Sequence, residues 1–119
     1  MARYELTGPA RRDLVNILEH SEERHGERAR RRYERLLVAA IRDVAADPRR
    51  IGAKERPDLA PGLLSYHLRH SRERARDSGE AVREPRHVLL YRRPSEDLVL
   101  IVRVLHDAMD LARHLPPGP

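Results

Sequence analysis

One stripe of apolar residues constrains the fold of this chain more than any other feature. Its members recur at the three- and four-residue spacing of a single helix face: Ala29, Tyr33, Leu36, Leu37, Ala40, Ile41 and Val44. The opposite face is charged and mostly arginine. Asp47-Pro48 ends the pattern, because a residue before proline is pushed out of the helical region. The sequence therefore predicts a long amphipathic helix with one face against a core.

A second, shorter helix precedes it. Thr7-Gly8-Pro9 supplies a capping hydroxyl and a proline at the first helical position, and His25-Gly26 ends the segment. The apolar positions of this helix are Ala10, Leu14, Ile17 and Leu18. Because the connection to the long helix is so short, the two helices are expected to form an antiparallel hairpin.

Four further segments are typical of strands, by alternation or by continuous apolar character: Ala2–Thr7, Leu63–His70, His87–Arg92 and Leu98–Leu105. The turn Pro94–Asp97 joins the last two as a hairpin, and a short helix follows. The order β-α-α-β-β-β-(α) predicts an α+β domain, with the helical hairpin packed on a mostly antiparallel four-stranded sheet. A chain of 119 residues fits one domain, residues 1–119.

The composition narrows the chemistry. Phe, Trp and Cys are absent, so the core must be aliphatic and thiolate or disulfide chemistry is excluded. We read no secretion signal and no membrane span, and expect a cytoplasmic location without membrane contact. The net charge of +5 indicates an acidic partner or nucleic acid.

The segment 71–86 stands apart because nine of its sixteen residues are charged. It has little to bury, so the sequence predicts a solvated loop or a hairpin arm, with a partner-contacting loop as the functional alternative.

Arg103 interrupts an apolar strand. By alternation it shares a face with Val99, Ile101 and Leu105, which should be buried. A buried guanidinium needs a partner. We therefore expect either an ion pair beneath a helix or a strand end that opens onto a binding surface.

Neither a metal site nor a nuclease site follows from spacing alone. His106, Asp110 and His114 are four residues apart, but only the last two fall securely on one helical face, so we predict no metal and no cofactor. A ribonuclease could draw on His67, His106, Tyr91, Arg69 and Arg103, whose convergence the sequence cannot establish. Exposed aromatic residues for base stacking are scarce.

The stretch Arg103–Leu115, "RVLHDAMDLARHL", resembles the C-terminal signature of ParE toxins in the RelE/ParE superfamily of bacterial toxin–antitoxin modules. Three further segments are similar in the same order: Tyr4–Ser21, Ser65–Arg72 and Pro85–Arg93. The resemblance implies a toxin that poisons DNA gyrase and is neutralised by a ParD-like antitoxin, with operator DNA reached only through that antitoxin. RelE-type relatives instead cut mRNA on the ribosome, but Met109-Asp110 stands here in place of a tyrosine.

We therefore expect a toxin that acts by binding its target and has no catalytic activity of its own. The expected target-binding residues are Arg103, His106, Asp110, Arg113 and His114. The expected antitoxin-binding residues are Leu14, Val15, Leu18, Arg69 and Arg92, because the narrow stripe of the first helix leaves an apolar seam for a partner. A ribosome-dependent endoribonuclease and a non-toxic antitoxin-binding module remain the alternatives.

Overall fold

The computed structural model describes residues 3–77 and 79–115. Two helices, α1 (Gly8–His25) and α2 (Glu27–Ala46), form the predicted hairpin. Thr7 caps α1: its Oγ1 accepts a hydrogen bond from the Ala10 amide at 3.1 Å and donates one to the Val102 carbonyl at 2.7 Å. Gly26, at φ +90°, reverses the chain between the helices in a backbone conformation that other residues rarely adopt. The predicted boundary at His25-Gly26, where the first helix ends and the second follows almost at once, is confirmed.

Five strands form the sheet, in the order β1-β5-β4-β3-β2. Their bounds are Arg3–Leu6 (β1), Lys54–Glu55 (β2), Leu64–His67 (β3), His87–Ser95 (β4) and Leu98–His106 (β5). β1 runs parallel to β5, and the other pairings are antiparallel. The α+β class is confirmed, but the predicted count of four strands is wrong. The additional strand, β2, has only two residues, which is too short to show alternation.

Two strand ends differ from the prediction by more than one residue. The third strand ends at His67, because residues Leu68–Ser71 turn into a short 3-10 helix. β4 extends through Ser95, which shortens the hairpin turn to Glu96 and Asp97. Ala2, placed in the first predicted strand, lies outside the described residues.

Apolar residues cover both faces of the sheet. On the helix side, the fully buried residues of one cluster include Leu36, Val44, Tyr66, Leu89 and Ile101. On the opposite side a second cluster contains Leu63, Val88, Leu90, Val102 and Leu105, and Leu59, Ala60, Leu111 and Leu115 pack against it. The prediction that the last strand is covered on both sides is confirmed.

A β-bulge in β5 changes which side chains share a face. Leu90 pairs with Arg103 and Tyr91 with Ile101, so Val102 is an extra residue between the two pairs. Beyond it, Val104 joins the helix-side cluster, and Arg103 follows the alternation of Leu105 toward the other face. The expectation that Arg103 shares a face with Val99 and Ile101 is therefore wrong.

The charged segment 71–86 is packed against the helices and is not a solvated hairpin arm. Its Ala75 and Val82 contact the helix-side core cluster. Ser71 is buried and donates to Asp43 of α2 at 2.7 Å. Arg72 donates through Nε to the Val82 carbonyl at 2.6 Å, which holds the two ends of the segment together. Side-chain hydrogen bonds thus compensate for its lack of apolar residues. Ser78 lies outside the described residues.

No helix within residues 3–77 and 79–115 combines the length and the apolar character needed to cross a membrane.

Candidate functional site

Arg103 is held by a carboxylate of α1. Its Nε and Nη2 donate to the two oxygens of Asp13 at 2.7 and 2.8 Å, and one of these oxygens also accepts the Val104 amide at 2.9 Å. The hydrogen bond to Asp13 raises the pKa of Arg103 further, so the guanidinium stays charged. β1 pairs only with the first half of β5, at Leu98–Ile101. Beyond this point β1 gives the strand edge no partner, and Asp13 accepts the hydrogen bond of the Val104 amide there. Arg103 therefore forms an ion pair, as one of the two alternatives predicted, and its role in binding a target stays a prediction.

Arg103 also connects α1 to the C-terminal segment. Its Nη1 donates to the carbonyl oxygen of His114, in a single 3-10 turn at Leu111–His114. Leu111 and Leu115 anchor this turn on the second core cluster. The predicted terminal helix is thus reduced to one short turn. The guanidinium of Arg103 connects α1, through Asp13, to the C-terminal segment, through His114.

The other expected target-binding residues divide into two groups. Asp110, Arg113 and His114 are exposed on the C-terminal segment, and Arg113 Nε lies 3.5 Å from a carboxylate oxygen of Asp110. His106 is partly buried at the end of β5. The structure therefore does not bring His106, Asp110 and His114 to one ligand position. Across the described part of the chain, no three His, Asp or Glu side chains are arranged to hold a metal ion. The role of these residues in target binding stays a prediction.

Asp107 organises the end of the sheet. Its Oδ2 lies 2.9 Å from Nε2 of His67 and its Oδ1 lies 3.1 Å from Nη2 of Arg86. The His67 Nδ1 accepts the Arg69 amide at 3.1 Å, so the ring proton is on Nε2 and points to Asp107. Burial opposes ionisation of Asp107, but the hydrogen bond from His67 and the charge of Arg86 outweigh it and lower its pKa.

Next to Asp107, two histidines and a tyrosine are stacked edge to face. The His87 ring centroid lies 5.5 Å from that of Tyr33 and 5.4 Å from that of His106. Burial raises the pKa of Tyr33 to about 12, whereas burial and the nearby His106 lower the pKa of His87 to about 4. At neutral pH the Tyr33 hydroxyl therefore donates to Nδ1 of a neutral His87, across 2.5 Å.

Strand pairing brings the histidines together. His87 pairs with His106 across β4 and β5, and His67 pairs with Val88, the neighbour of His87. Tyr33 was predicted only as part of a core stripe and His87 only as the first residue of a strand, so this cluster was not predicted. The available signal was a histidine within, at the start of, or just after each of three predicted strands, namely His67, His87 and His106.

The expected antitoxin-binding residues do not form one patch. Leu14 and Leu18 pack against the core, and Val15 is 53% exposed on α1. Arg69 is exposed beside His67, at the end of the sheet. Arg92 donates to the Pro61 carbonyl, in the loop that covers the opposite face of the sheet. A continuous exposed seam along Leu14, Val15 and Leu18 is thus reduced to Val15, and the binding role of all five residues stays a prediction.

Comparison with known proteins identifies the family of this α+β fold. Residues 4–111 match the family described as the ParE toxin of type II toxin–antitoxin system, parDE. The match spans most of the sequence, and the chain belongs to this family of type II toxins. It confirms the resemblance seen in the segment that contains His106–Asp110, and it implies an antitoxin partner. No curated protein matches the chain.

Proposed function

We propose that this toxin acts by binding DNA gyrase and performs no chemistry of its own. The observation that carries the proposal is that groups a nuclease would need are engaged inside the molecule. Asp13 occupies the Nε and Nη2 groups of Arg103, and Asp107 occupies the Nε2 proton of His67. A catalytic acid or base must instead reach the substrate within hydrogen-bonding distance.

The C-terminal segment offers a surface suited to protein binding. Met109 is 44% exposed, and the charged side chains of Asp110 and Arg113 extend from the same short stretch. Arg103 and the packing of Leu111 hold the backbone of that stretch in place. An anchored backbone lowers the entropy that is lost when a partner binds.

The proposed partner that silences the toxin is a ParD-like antitoxin. Family membership supports an antitoxin, and the net charge of +5 suits an acidic one. Operator DNA would be reached only through this antitoxin.

A supercoiling assay with purified gyrase tests the proposal. We expect inhibition at micromolar toxin, and at least tenfold weaker inhibition by Arg113→Glu. Arg93→Glu is the matched control, because Arg93 is an exposed arginine near the opposite end of β4 from the histidines. Unimpaired supercoiling in the presence of folded wild-type toxin would contradict gyrase as the target.

Ribosome-dependent mRNA cleavage is the second candidate function, and the stacked side chains of Tyr33, His87 and His106 favour it. Histidine can move a proton, and the neighbouring Arg86 could stabilise charge on a phosphorane. Mapping of mRNA ends after expression tests it. If cuts appear with the wild type and disappear with His106→Ala, the protein is a nuclease and the gyrase proposal is wrong.

A further inference from the structure

The outer edge of β1 is open. β1 is the first strand in the sheet order, so within the described sheet it pairs with β5 on one side and with no strand on the other. The edge of β5 beyond Ile101 differs, because there Asp13 accepts the amide of Val104. An open strand edge is a template for pairing with another chain unless the protein protects it. The sheet can therefore be extended at β1.

The backbone groups of Tyr4 and Leu6 point away from β5. Arg3 and Thr7 donate their amides to carbonyls on the β5 side, at 2.7 and 3.1 Å. Because the direction of hydrogen bonding alternates along a strand, residues 3, 5 and 7 bond toward β5, whereas residues 4 and 6 face outward. A second strand can thus pair with β1 through Tyr4 and Leu6 without disturbing its pairing with β5.

The side chains of Arg3 and Glu5 give this edge two charges of opposite sign. Leu6 packs against the helix-side cluster, so by alternation Arg3 and Glu5 lie on the other face of the sheet. Both are exposed. Arg3 has only a distant contact with Asp97, at 3.8 Å, and both side chains of that pair remain largely exposed. A second copy of the same strand, running in the opposite direction, offers each of the two charges a partner.

One antiparallel register of two β1 strands satisfies both the backbone and the charges. Outward-facing residues must lie opposite each other to exchange hydrogen bonds. Pairing Tyr4 with Tyr4 of the second copy does this, and it places Arg3 opposite Glu5 on both sides of the two-fold axis. Pairing Tyr4 with Leu6 instead places Glu5 opposite Glu5, which is destabilising. Pairing Leu6 with Leu6 leaves Glu5 opposite the uncharged Thr7.

We infer that two copies of this chain associate through their β1 edges, antiparallel and centred on Tyr4, so that their sheets become continuous. Tyr4 is 43% exposed in the single chain and is covered by its counterpart in the pair. Arg3 and Glu5 occupy the non-hydrogen-bonded positions, where side chains of opposite strands approach most closely. A strand of four residues buries a small area, so the association is weak, at micromolar to millimolar concentration. Neither gyrase nor the antitoxin takes part in it.

Sedimentation equilibrium of the purified toxin tests the charge pairs, at about 0.15 M salt to screen the net charge of +5. We expect dimers that form as the concentration rises. Arg3→Glu and Glu5→Arg should each weaken dimerisation at least tenfold, since either change turns both ion pairs into like-charge pairs. The double variant restores opposite charges and should dimerise as the wild type does. Asp97→Ala is the matched control, because it removes only the contact of Arg3 within the chain.

Tyr4→Pro tests the backbone pairing. Proline lacks the amide that Tyr4 directs outward, and it is tolerated at an edge where that amide faces solvent. The substitution should therefore abolish dimerisation while the pairing of β1 with β5 persists. Circular dichroism and thermal melting establish that this variant and the charge variants are folded.

Three results would overturn the inference. The first is a wild type that stays monomeric at millimolar concentration. The second is a dimer that folded Arg3→Glu, Glu5→Arg and Tyr4→Pro leave unchanged, which would place the contact elsewhere. The third is a double variant that fails to recover the dimerisation lost in the single variants, which would exclude the register centred on Tyr4. If the wild type is monomeric and Tyr4→Pro weakens antitoxin binding, the edge accepts an antitoxin strand and not a second copy.

Discussion

Arg103 of β5 and Asp13 of α1 form a two-pronged ion pair that also closes the open edge of the sheet. Asp13 accepts two guanidinium hydrogen bonds and the amide of Val104, while the guanidinium extends to the carbonyl of His114. The pair therefore links the helix, the bulged strand and the C-terminal segment. The proposed target-binding surface depends on this ion pair for its position, although Asp13 itself is not part of that surface.

Replacing Asp13 by alanine should destabilise the protein by about 2–4 kcal/mol, because it leaves a largely buried guanidinium and a strand amide without their partner. Urea denaturation measures the free energy of unfolding. Asp97→Ala is the control, since it removes an exposed ion pair and should leave that free energy unchanged. Equal effects of the two substitutions would contradict the structural role of the pair.

Protonation of His87 should destabilise the fold at acidic pH. Its pKa is about 4 in the folded protein, below the ordinary value of 6.5, so the unfolded chain binds more protons between these values. Stability is therefore unaffected by this group above pH 6.5 and falls as the pH drops toward 4, by up to about 3 kcal/mol. Denaturation at several pH values checks the slope. His87→Gln should reduce it, and an unchanged slope in that variant would rule out His87 as the source.

His67 and His106 are both expected to carry their proton on Nε2. Their Nδ1 atoms accept backbone amides, from Arg69 and Ala108 respectively, each at 3.1 Å. Nitrogen-15 chemical shifts of the imidazoles distinguish the tautomers. Asp107→Asn should perturb the signals of His67 more strongly than those of His20, which is exposed on α1. A proton on Nδ1 of His67 would contradict the hydrogen bond to Asp107.

Substitution of Gly52 should be costly for two separate reasons. Its φ is +99°, which side-chain-bearing residues rarely adopt, and an added Cβ would lie 2.7 Å from the His70 ring. Gly52→Ala should therefore lower stability by more than the roughly 1–2 kcal/mol of backbone strain alone. Gly79→Ala separates the two effects, because Gly79 has φ +79° with open space around it. A Gly52→Ala cost no greater than that of Gly79→Ala would show that His70 can move aside at no cost.

Local patterns in the sequence determined the helical hairpin, its caps at Thr7 and Asp47, and the α+β class. These features depend on side-chain spacing and backbone preferences within a few residues, which the chain carries wherever it lies. The sequence also predicted that β5 is buried on both faces, because a strand with a continuous run of apolar residues needs packing on both sides.

Only the tertiary structure decided what the polar residues contact. Asp107 meets His67 forty residues away, and Arg103 meets Asp13 ninety residues away. Both contacts depend on the register of the strands. The contact of Arg103 also depends on the β-bulge, which places Arg103 on the face opposite Ile101. Neither the register nor the bulge can be read from the neighbouring residues in the sequence. Hydrophobic spacing repeats along the chain, whereas the partner of a charge is set by the packing of distant segments.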